Sequence, residues 1–273
     1  MIFDAHQCQL GEGPLWHPTR HELFWFDILG KQLRTATTHW QFDDYVSAAG
    51  WVDDTTLIVA SARALSRFDI TTGQSQKLCD LEADNPITRS NDGRADPQGG
   101  FWIGTMGINA EPAAGAIYRY YRGTLRRLFA DIQISNAICF APSGDTAYFT
   151  DTNTQVIMAT ALDGDGWPIG KPRIHVDLRG TDFRPDGAVV DTDGTLWSAQ
   201  WGVGRVAGYS PDGQYVTSYD LPVAQTSCPA FGGPDLTTLF CTSAAVDQTG
   251  TDDGKTFAIP TTHTGQAEHR VIL

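Results

Sequence analysis

The chain has 273 residues, of which 41% are hydrophobic and 11% aromatic, and its formal net charge is −13 at pH 7. This length allows one large β domain or two ordinary domains, and this composition allows a sizeable buried core. The negative charge repels phosphate backbones and anionic lipid, so we expect neither nucleic acid nor a membrane as a partner.

The N-terminal segment MIFDAHQCQL has no basic stretch followed by a long apolar one, so no signal peptide is predicted. No run of the chain approaches the roughly 18 apolar residues that a membrane span requires. We therefore expect a cytoplasmic protein. Its five cysteines are odd in number and widely spaced, which favours small buried thiols over a disulfide framework.

Short apolar runs alternate along the chain with clusters of Gly, Asp, Pro and Thr, which is typical of an all-β protein. One plan recurs, in which a polar residue precedes an apolar strand, a turn and a second strand. The segments that follow it start at positions 11, 46, 90, 135, 185 and 226: GEGPLWHPTRHELFWFDI, VSAAGWVDDTTLIVAS, SNDGRADPQGGFWIGTM, SNAICFAPSGDTAYFTD, PDGAVVDTDGTLWSAQW and TSCPAFGGPDLTTLFCTS.

Third and fourth strands follow most of these pairs. Third strands are predicted at ALSRFDI, AIYRYY, QVIMATAL, RVAGYS and KTFAIP, and fainter outer strands at LRRLFA and YVTSYDL. Six four-stranded units, spaced about 40–50 residues apart, predict a six-bladed β-propeller that spans residues 1–273 as a single domain. We expect the N-terminal segment MIFDAHQ to supply the missing outer strand of the last blade.

The repeats can be aligned on a polar residue six positions before the first turn. This alignment gives Glu12, Asn91, Asn136 and Asp186, and more weakly Ser47 and Ser227. The first strand of each propeller blade lines the central channel, so equivalent positions should converge on one ring.

Two carboxylates in such a ring, Glu12 and Asp186, repel each other, and each tends to hold a proton. A divalent cation resolves this conflict, and the side-chain carbonyl of Asn136 adds a neutral oxygen. An all-oxygen set suits Ca²⁺, Mg²⁺ or Mn²⁺ and tolerates Zn²⁺ or Fe²⁺. We therefore predict one divalent metal ion in the channel.

Each motif taken alone has a simpler interpretation. Glu12 fits a solvated loop, Asp186 in PDG and Asn91 in NDG fit turns, and Asn136 fits a strand end. Only their common register favours a metal site. Trp201, which follows a second strand, is a candidate for the border of the channel mouth.

Four motifs in order, LGEGPLWHP, RSNDG, ISNAICFAPSGDTAYFTD and PDGAVVDTDGTLWSAQW, resemble the SMP-30/gluconolactonase/LRE family of regucalcin-like sugar lactonases. The resemblance spans essentially the whole chain. It implies a six-bladed propeller with one divalent metal, Ca, Zn, Mn, Mg or Fe(II), held by Glu12, Asn136 and Asp186. It also implies that Arg89 and Asn91 contact the substrate, a small-molecule sugar lactone.

These features predict metal-dependent hydrolysis of an aldonolactone to the aldonic acid, with Asp186 as the catalytic residue that accepts the proton of water. Animal members of the family carry an acidic residue after the GTM segment, whereas this chain has Gly107, Ile108 and Asn109 there. We therefore expect the substrate to bind differently. Two alternatives stay open, namely a propeller metallo-esterase acting on aryl or phosphate esters and a non-catalytic Ca²⁺-binding propeller.

Overall fold

The computed structural model describes residues 1–273 and confirms the six-bladed β-propeller, with 24 strands and one 3-10 turn at Thr152–Thr154. The strands form six four-stranded antiparallel sheets, which we call blades 1 to 6. No helical segment of the protein has the length and apolar character needed to cross a membrane. The five cysteines are free, as the sequence predicts.

Every blade runs from an inner strand, next to the ring axis, to an outer strand. Blade 1 consists of β2 (Gly11–His17), β3 (Glu22–Asp27), β4 (Gln32–Arg34) and β5 (His39–Gln41). Blade 2 consists of β6 (Val46–Asp53), β7 (Thr56–Ser61), β8 (Ala64–Asp69) and β9 (Ser75–Asp80). Blade 3 consists of β10 (Thr88–Ala95), β11 (Phe101–Gly107), β12 (Gly115–Tyr121) and β13 (Thr124–Ile132).

The second half of the ring repeats this order. Blade 4 consists of β14 (Ser135–Phe140), β15 (Thr146–Asp151), β16 (Val156–Leu162) and β17 (Pro168–Asp177). Blade 5 consists of β18 (Arg184–Val190), β19 (Leu196–Trp201), β20 (Arg205–Tyr209) and β21 (Tyr215–Asp220). Blade 6 consists of β22 (Thr226–Gly232), β23 (Thr238–Ser243), β24 (Thr256–Pro260) and the N-terminal strand β1 (Ile2–Asp4).

The ring is closed by strands from the two ends of the sequence. β1 pairs with β24, with Ile2 opposite Phe257, which confirms the expected closure by the N-terminal segment. The six inner strands contact one another in cyclic order, and β22 of blade 6 contacts β2 of blade 1. Residues far apart in the sequence therefore meet around one axis.

The hydrophobic core is divided among the six junctions between blades. Six clusters of buried side chains each join two neighbouring blades. Because successive side chains of a strand point to opposite faces, one strand serves two junctions. In β3, Phe24 and Phe26 pack toward blade 2, whereas Leu23 and Trp25 pack toward blade 6.

The C-terminal segment after β24 lies across the ends of the inner strands. Gln266 Nε2 donates to the carbonyl oxygens of Phe140 and Val190, at 3.0 and 2.9 Å. The Val271 amide donates to the carbonyl of Trp51 at 2.9 Å, in blade 2. The segment thus covers the face at which the inner strands end.

A buried ion pair links the inner turn of blade 3 to its third strand. Arg119 Nε donates to Asp96 Oδ2 at 2.5 Å, and both side chains are fully buried. Asp96 also accepts from the amides of Gln98 and Gly100. The guanidinium lies 4.4 Å from the centre of the Trp167 ring, which belongs to blade 4.

We predict that Asp96→Ala lowers the free energy of unfolding by about 3–5 kcal/mol, because it leaves a buried guanidinium unpaired. Asp80→Ala is the matched control, because Asp80 pairs with Lys77 on the exposed surface. The control should leave the chemical denaturation midpoint nearly unchanged. Equal midpoints for the two variants would contradict the structural role of the buried pair.

Candidate active site

The inner strands are all irregular at the positions that the sequence aligns. The pairing of inner and second strands shifts between Glu12 and Leu15 in blade 1 and between Asn136 and Cys139 in blade 4. Equivalent shifts occur in the other four blades. A β-bulge bends its strand and redirects the side chain there. The bulge therefore sets the direction of one aligned side chain in each blade.

The bulge in blade 1 requires a glycine. Gly13, the second glycine of the GEGP motif, has a φ of 54°. A Cβ atom at this position would clash with the backbone carbonyl oxygen of Ser47 in blade 2. The motif thus needs a residue without a side chain directly after Glu12.

A cavity of about 550 Å³ lies at the face where the inner strands begin. It is lined by Glu12, Arg89, Asn91, Asn136 and Asp186 together with Leu10, Leu29, Met106, Ile108, Ala110, Ile134, Thr152, Asn153, Arg184, Trp201 and Val246. All five predicted site residues therefore share one cavity, and Trp201 borders it as the sequence suggests. Its size is in the range of pockets that hold small molecules.

The two carboxylates of the cavity are buried and form no ion pair, although the charge of Arg89 acts on both from farther away. Glu12 and Asp186 are each 5% exposed, and neither takes part in any of the ion pairs of the structure. Glu12 Oε2 accepts only the adjacent Gly13 amide, at 3.1 Å. A buried carboxylate is normally paired or bound to a metal. The donor set therefore fits a divalent cation.

Burial shifts the pKa values of both groups in the metal-free protein. The pKa of Glu12 is raised to about 8, mainly by burial and secondly by the charge of Asp92. Burial, and next the charge of Glu12, raises the pKa of Asp186 well above its usual value. The effect of Glu12 on Asp186 is the repulsion that the sequence predicts for this pair.

A chain of hydrogen bonds holds the amide side chains of the cavity. Arg89 Nη1 donates to Asn91 Oδ1 at 2.7 Å, and Asn91 Nδ2 donates to Asn136 Oδ1 at 3.1 Å. Asn136 Nδ2 in turn donates to Thr152 Oγ1 at 2.9 Å, and Thr152 Oγ1 donates to the carbonyl of Pro185 at 2.8 Å. The chain crosses blades 3, 4 and 5 and fixes the orientation of both asparagines. Asn136 Oδ1 keeps a second lone pair for a ligand.

Arg89 is the buried cation of the cavity. It is 6% exposed and donates to the carbonyl of Ser90 as well as to Asn91. Burial lowers its pKa to about 10, an effect that the nearby charge of Glu12 opposes. Arg89 therefore stays protonated at neutral pH.

The two weaker members of the aligned set do not reach the cavity. Ser47 Oγ donates to Ser90 Oγ at 2.8 Å, and Ser227 Oγ donates to the carbonyl of Gly11 at 2.5 Å. Both hydroxyls are thus used between neighbouring blades. A short serine side chain at the bulge reaches the next inner strand, whereas Glu, Asn and Asp extend into the cavity.

The segment after GTM meets the cavity through apolar atoms. Ile108 and Ala110 line it, whereas Asn109 Nδ2 donates to Glu111 Oε1 at 3.0 Å. This segment therefore presents a hydrophobic wall to the cavity.

A second group of ligand types lies near the N-terminus. His6, Cys8 and Asp27 bring ligand atoms within 4.8 Å of one another. The Asp27 carboxylate already accepts the amides of residues 9, 10 and 30. Burial raises the pKa of the Cys8 thiol to about 12, which disfavours the thiolate that binds metal. The oxygen set of the cavity is therefore the better metal candidate.

Sequence alignment of first strands alone does not reveal three polar residues of the cavity, namely Thr152, Asn153 and Arg184. The first two directly follow second strand β15, and Arg184 begins β18. Second strands run antiparallel to inner strands, so their ends lie beside the beginnings of the inner strands. Polar residues just after second strands are the signal that would have found the first two.

Comparison with known proteins identifies relatives along nearly the whole chain. The family model described as "SMP-30/Gluconolactonase/LRE-like region" matches residues 10–245. An L-arabinolactonase from Azospirillum brasilense is 36% identical over 96% of this chain and 91% of its own length. A 6-deoxy-6-sulfogluconolactonase from Pseudomonas putida is 34% identical over 86% of this chain and 83% of its own length.

A crystal structure shares the fold closely. It is described as a calcium-binding protein, regucalcin, from Agrobacterium tumefaciens, with 38% identity and a TM-score of 0.96. The match covers 100% of this chain and 97% of that chain.

We predict a distinctive pH dependence of stability for the metal-free protein. Glu12 has a pKa of about 8 when folded, against 4.5 without its surroundings. Between these values the folded state binds more protons than the unfolded state, so the contribution of Glu12 to the free energy of unfolding falls as pH rises. In chelator, the stability of the wild type relative to Glu12→Gln should fall from pH 5 to pH 8. If this difference in stability stayed constant or rose with pH, the raised pKa of buried Glu12 in the metal-free protein would be contradicted.

Proposed function

Because the chain belongs to the SMP-30/Gluconolactonase/LRE-like family, we propose that it hydrolyses a sugar lactone to the open aldonic acid with one bound divalent metal ion. The observation that carries this proposal is the burial of Glu12 and Asp186 in one cavity without an ion pair to either. The names of the relatives from Azospirillum and Pseudomonas, both lactonases, support lactone hydrolysis as the reaction.

The residues that would hold the metal are Glu12, Asn136 and Asp186. Two carboxylates and one amide carbonyl form an oxygen-only set, which suits Ca²⁺, Mg²⁺ or Mn²⁺ and accepts Zn²⁺ or Fe²⁺. When bound, such an ion supplies positive charge that polarises the lactone carbonyl and lowers the pKa of an adjacent water.

Asp186 is the candidate general base. Its carboxylate lies in the cavity and has no competing ion pair. We propose that it takes the proton of the attacking water and returns it to the ring oxygen as the carbon–oxygen bond of the lactone breaks. One water is consumed, and the product is the aldonic acid, which ionises at neutral pH.

Arg89 and Asn91 would orient the substrate. Their mutual hydrogen bond fixes both side chains, while the guanidinium keeps donors that are not used within the chain. Fixed donors place the sugar hydroxyls and hold the carbonyl near Asp186, which lowers the entropic cost of reaching the transition state.

A second candidate function is metal binding without catalysis. The structural relative from Agrobacterium is described as a calcium-binding protein, which is the observation that favours it. A pH-stat assay on gluconolactone, with and without chelator, separates the two functions. Acid release that the protein does not accelerate would favour metal binding alone.

We predict that Asp186→Asn lowers kcat for the best lactone at least roughly a hundredfold, because the variant can neither accept the proton of water nor hold the metal as the carboxylate would. Asp182→Asn is the matched control, since Asp182 is exposed and lies outside the cavity. Far-UV circular dichroism should be the same for both variants and the wild type. Near wild-type turnover by Asp186→Asn would overturn its assigned role.

Metal binding has its own measurement, which does not depend on turnover. We predict that a divalent ion raises the midpoint of thermal unfolding of the chelator-treated wild type, because it binds only the folded state. The same ion should not raise the midpoint of Glu12→Gln or Asp186→Asn. An equal rise in all three proteins would place the metal elsewhere.

A further inference from the structure

Arg184 stands out as a charged side chain at the mouth of the cavity. It is the first residue of β18, it lines the cavity, and it is exposed. No carboxylate pairs with it, because it occurs in none of the ion pairs of the structure. Its one side-chain hydrogen bond runs from Nη1 to Asn153 Oδ1 at 3.3 Å, and Asn153 also lines the cavity.

The charged residues that line the cavity would leave it positively charged once a divalent cation is bound. Only Glu12, Asp186, Arg89 and Arg184 are charged among the lining residues. A divalent cation on the two carboxylates would offset their charge. The buried carboxylate of Asp92, whose charge acts on Glu12 and Asp186, would then offset at most one of the two guanidiniums. The loaded cavity would then carry excess positive charge, although the whole chain carries −13. Distant surface carboxylates matter little here, because salt screens exposed charges over about 8 Å.

The two arginines differ in depth and in freedom. Arg89 is buried and tied to Ser90 and Asn91, whereas Arg184 is exposed and holds one long hydrogen bond. Most of the five N–H donors of Arg184 are therefore free. A guanidinium fork matches the oxygens of a carboxylate, phosphate or sulfonate group.

We propose that Arg184 binds an anionic group of the substrate, so that the preferred substrates are sugar lactones with a carboxylate, phosphate or sulfonate at the end remote from the lactone carbonyl. The carbonyl would lie at the buried carboxylates, and the anionic end would lie at the exposed mouth. This inference rests on the proposed lactonase function and adds the chemical class of its substrate.

The activity test compares lactones that differ only in the terminal group. D-glucaro-1,4-lactone is compared with D-glucono-1,4-lactone, and 6-phospho-D-glucono-1,5-lactone with D-glucono-1,5-lactone. We expect the wild type to have a higher kcat/KM for at least one anionic member of a pair, and that pair identifies carboxylate or phosphate as the group. Arg184→Gln should reduce the anionic-to-neutral ratio of that pair about tenfold, at the low end for a hydrogen bond to a charged group because Arg184 is exposed.

Two further variants separate local contact from overall charge. Arg184→Lys keeps the charge but loses the fork, so it should retain part of the ratio. Arg67→Gln removes the same charge from an exposed position in β8, outside the cavity, and should leave the ratio unchanged. A ratio that Arg184→Gln does not lower, or that Arg67→Gln lowers equally, overturns the proposal.

A binding measurement decides the matter without turnover. Calorimetry on the metal-free protein compares glucarate with gluconate, which has one carboxylate fewer. We expect glucarate to bind more tightly, and Arg184→Gln to reduce this preference about tenfold. If the wild type hydrolyses no lactone, the proposed function fails, and calorimetry still tests Arg184. If both neutral lactones are hydrolysed but neither ratio nor binding preference changes in Arg184→Gln, the function stands and the anion site is wrong.

Discussion

Two carboxylates, Glu12 and Asp186, lie buried in one cavity with no basic side chain paired to either. Burial raises both pKa values, and the charges of Asp92 on Glu12 and of Glu12 on Asp186 raise them further, so the metal-free site holds protons that isolated carboxyl groups would release. The two carboxyl groups cannot move apart, because the ring is closed and neighbouring blades share buried side chains at every junction. In the proposed function, a cation of two positive charges would offset the repulsion, and the fixed amide oxygen of Asn136 would complete the set.

The sequence alone predicts the fold and five cavity residues because the repeat has a physical cause. Each blade alternates side chains toward two junctions, which produces the recurring pattern of apolar strands and turns. Each inner strand also bulges at the aligned position, so a fixed offset from the turn selects the residues that enter the cavity. The last repeat has only three strands of its own, so the sequence also predicts that the N-terminal strand completes it and closes the ring.

Other features depend on contacts that the repeat does not encode. Ser47 and Ser227 share the register but bond between blades, because side-chain length decides which aligned residue reaches the cavity. The path of the C-terminal segment is fixed by individual hydrogen bonds, such as those from Gln266. Arg184 and Asn153 lie where loops and strand ends meet, and their meeting becomes apparent only in three dimensions.

The most direct test of the metal site is the position of an anomalous scatterer in a crystal soaked in Mn²⁺. We expect one strong anomalous peak in the cavity, at about 2.0–2.6 Å from side-chain oxygens of Glu12, Asn136 and Asp186. A cavity without a peak, or a peak only beside His6, Cys8 and Asp27, would contradict it.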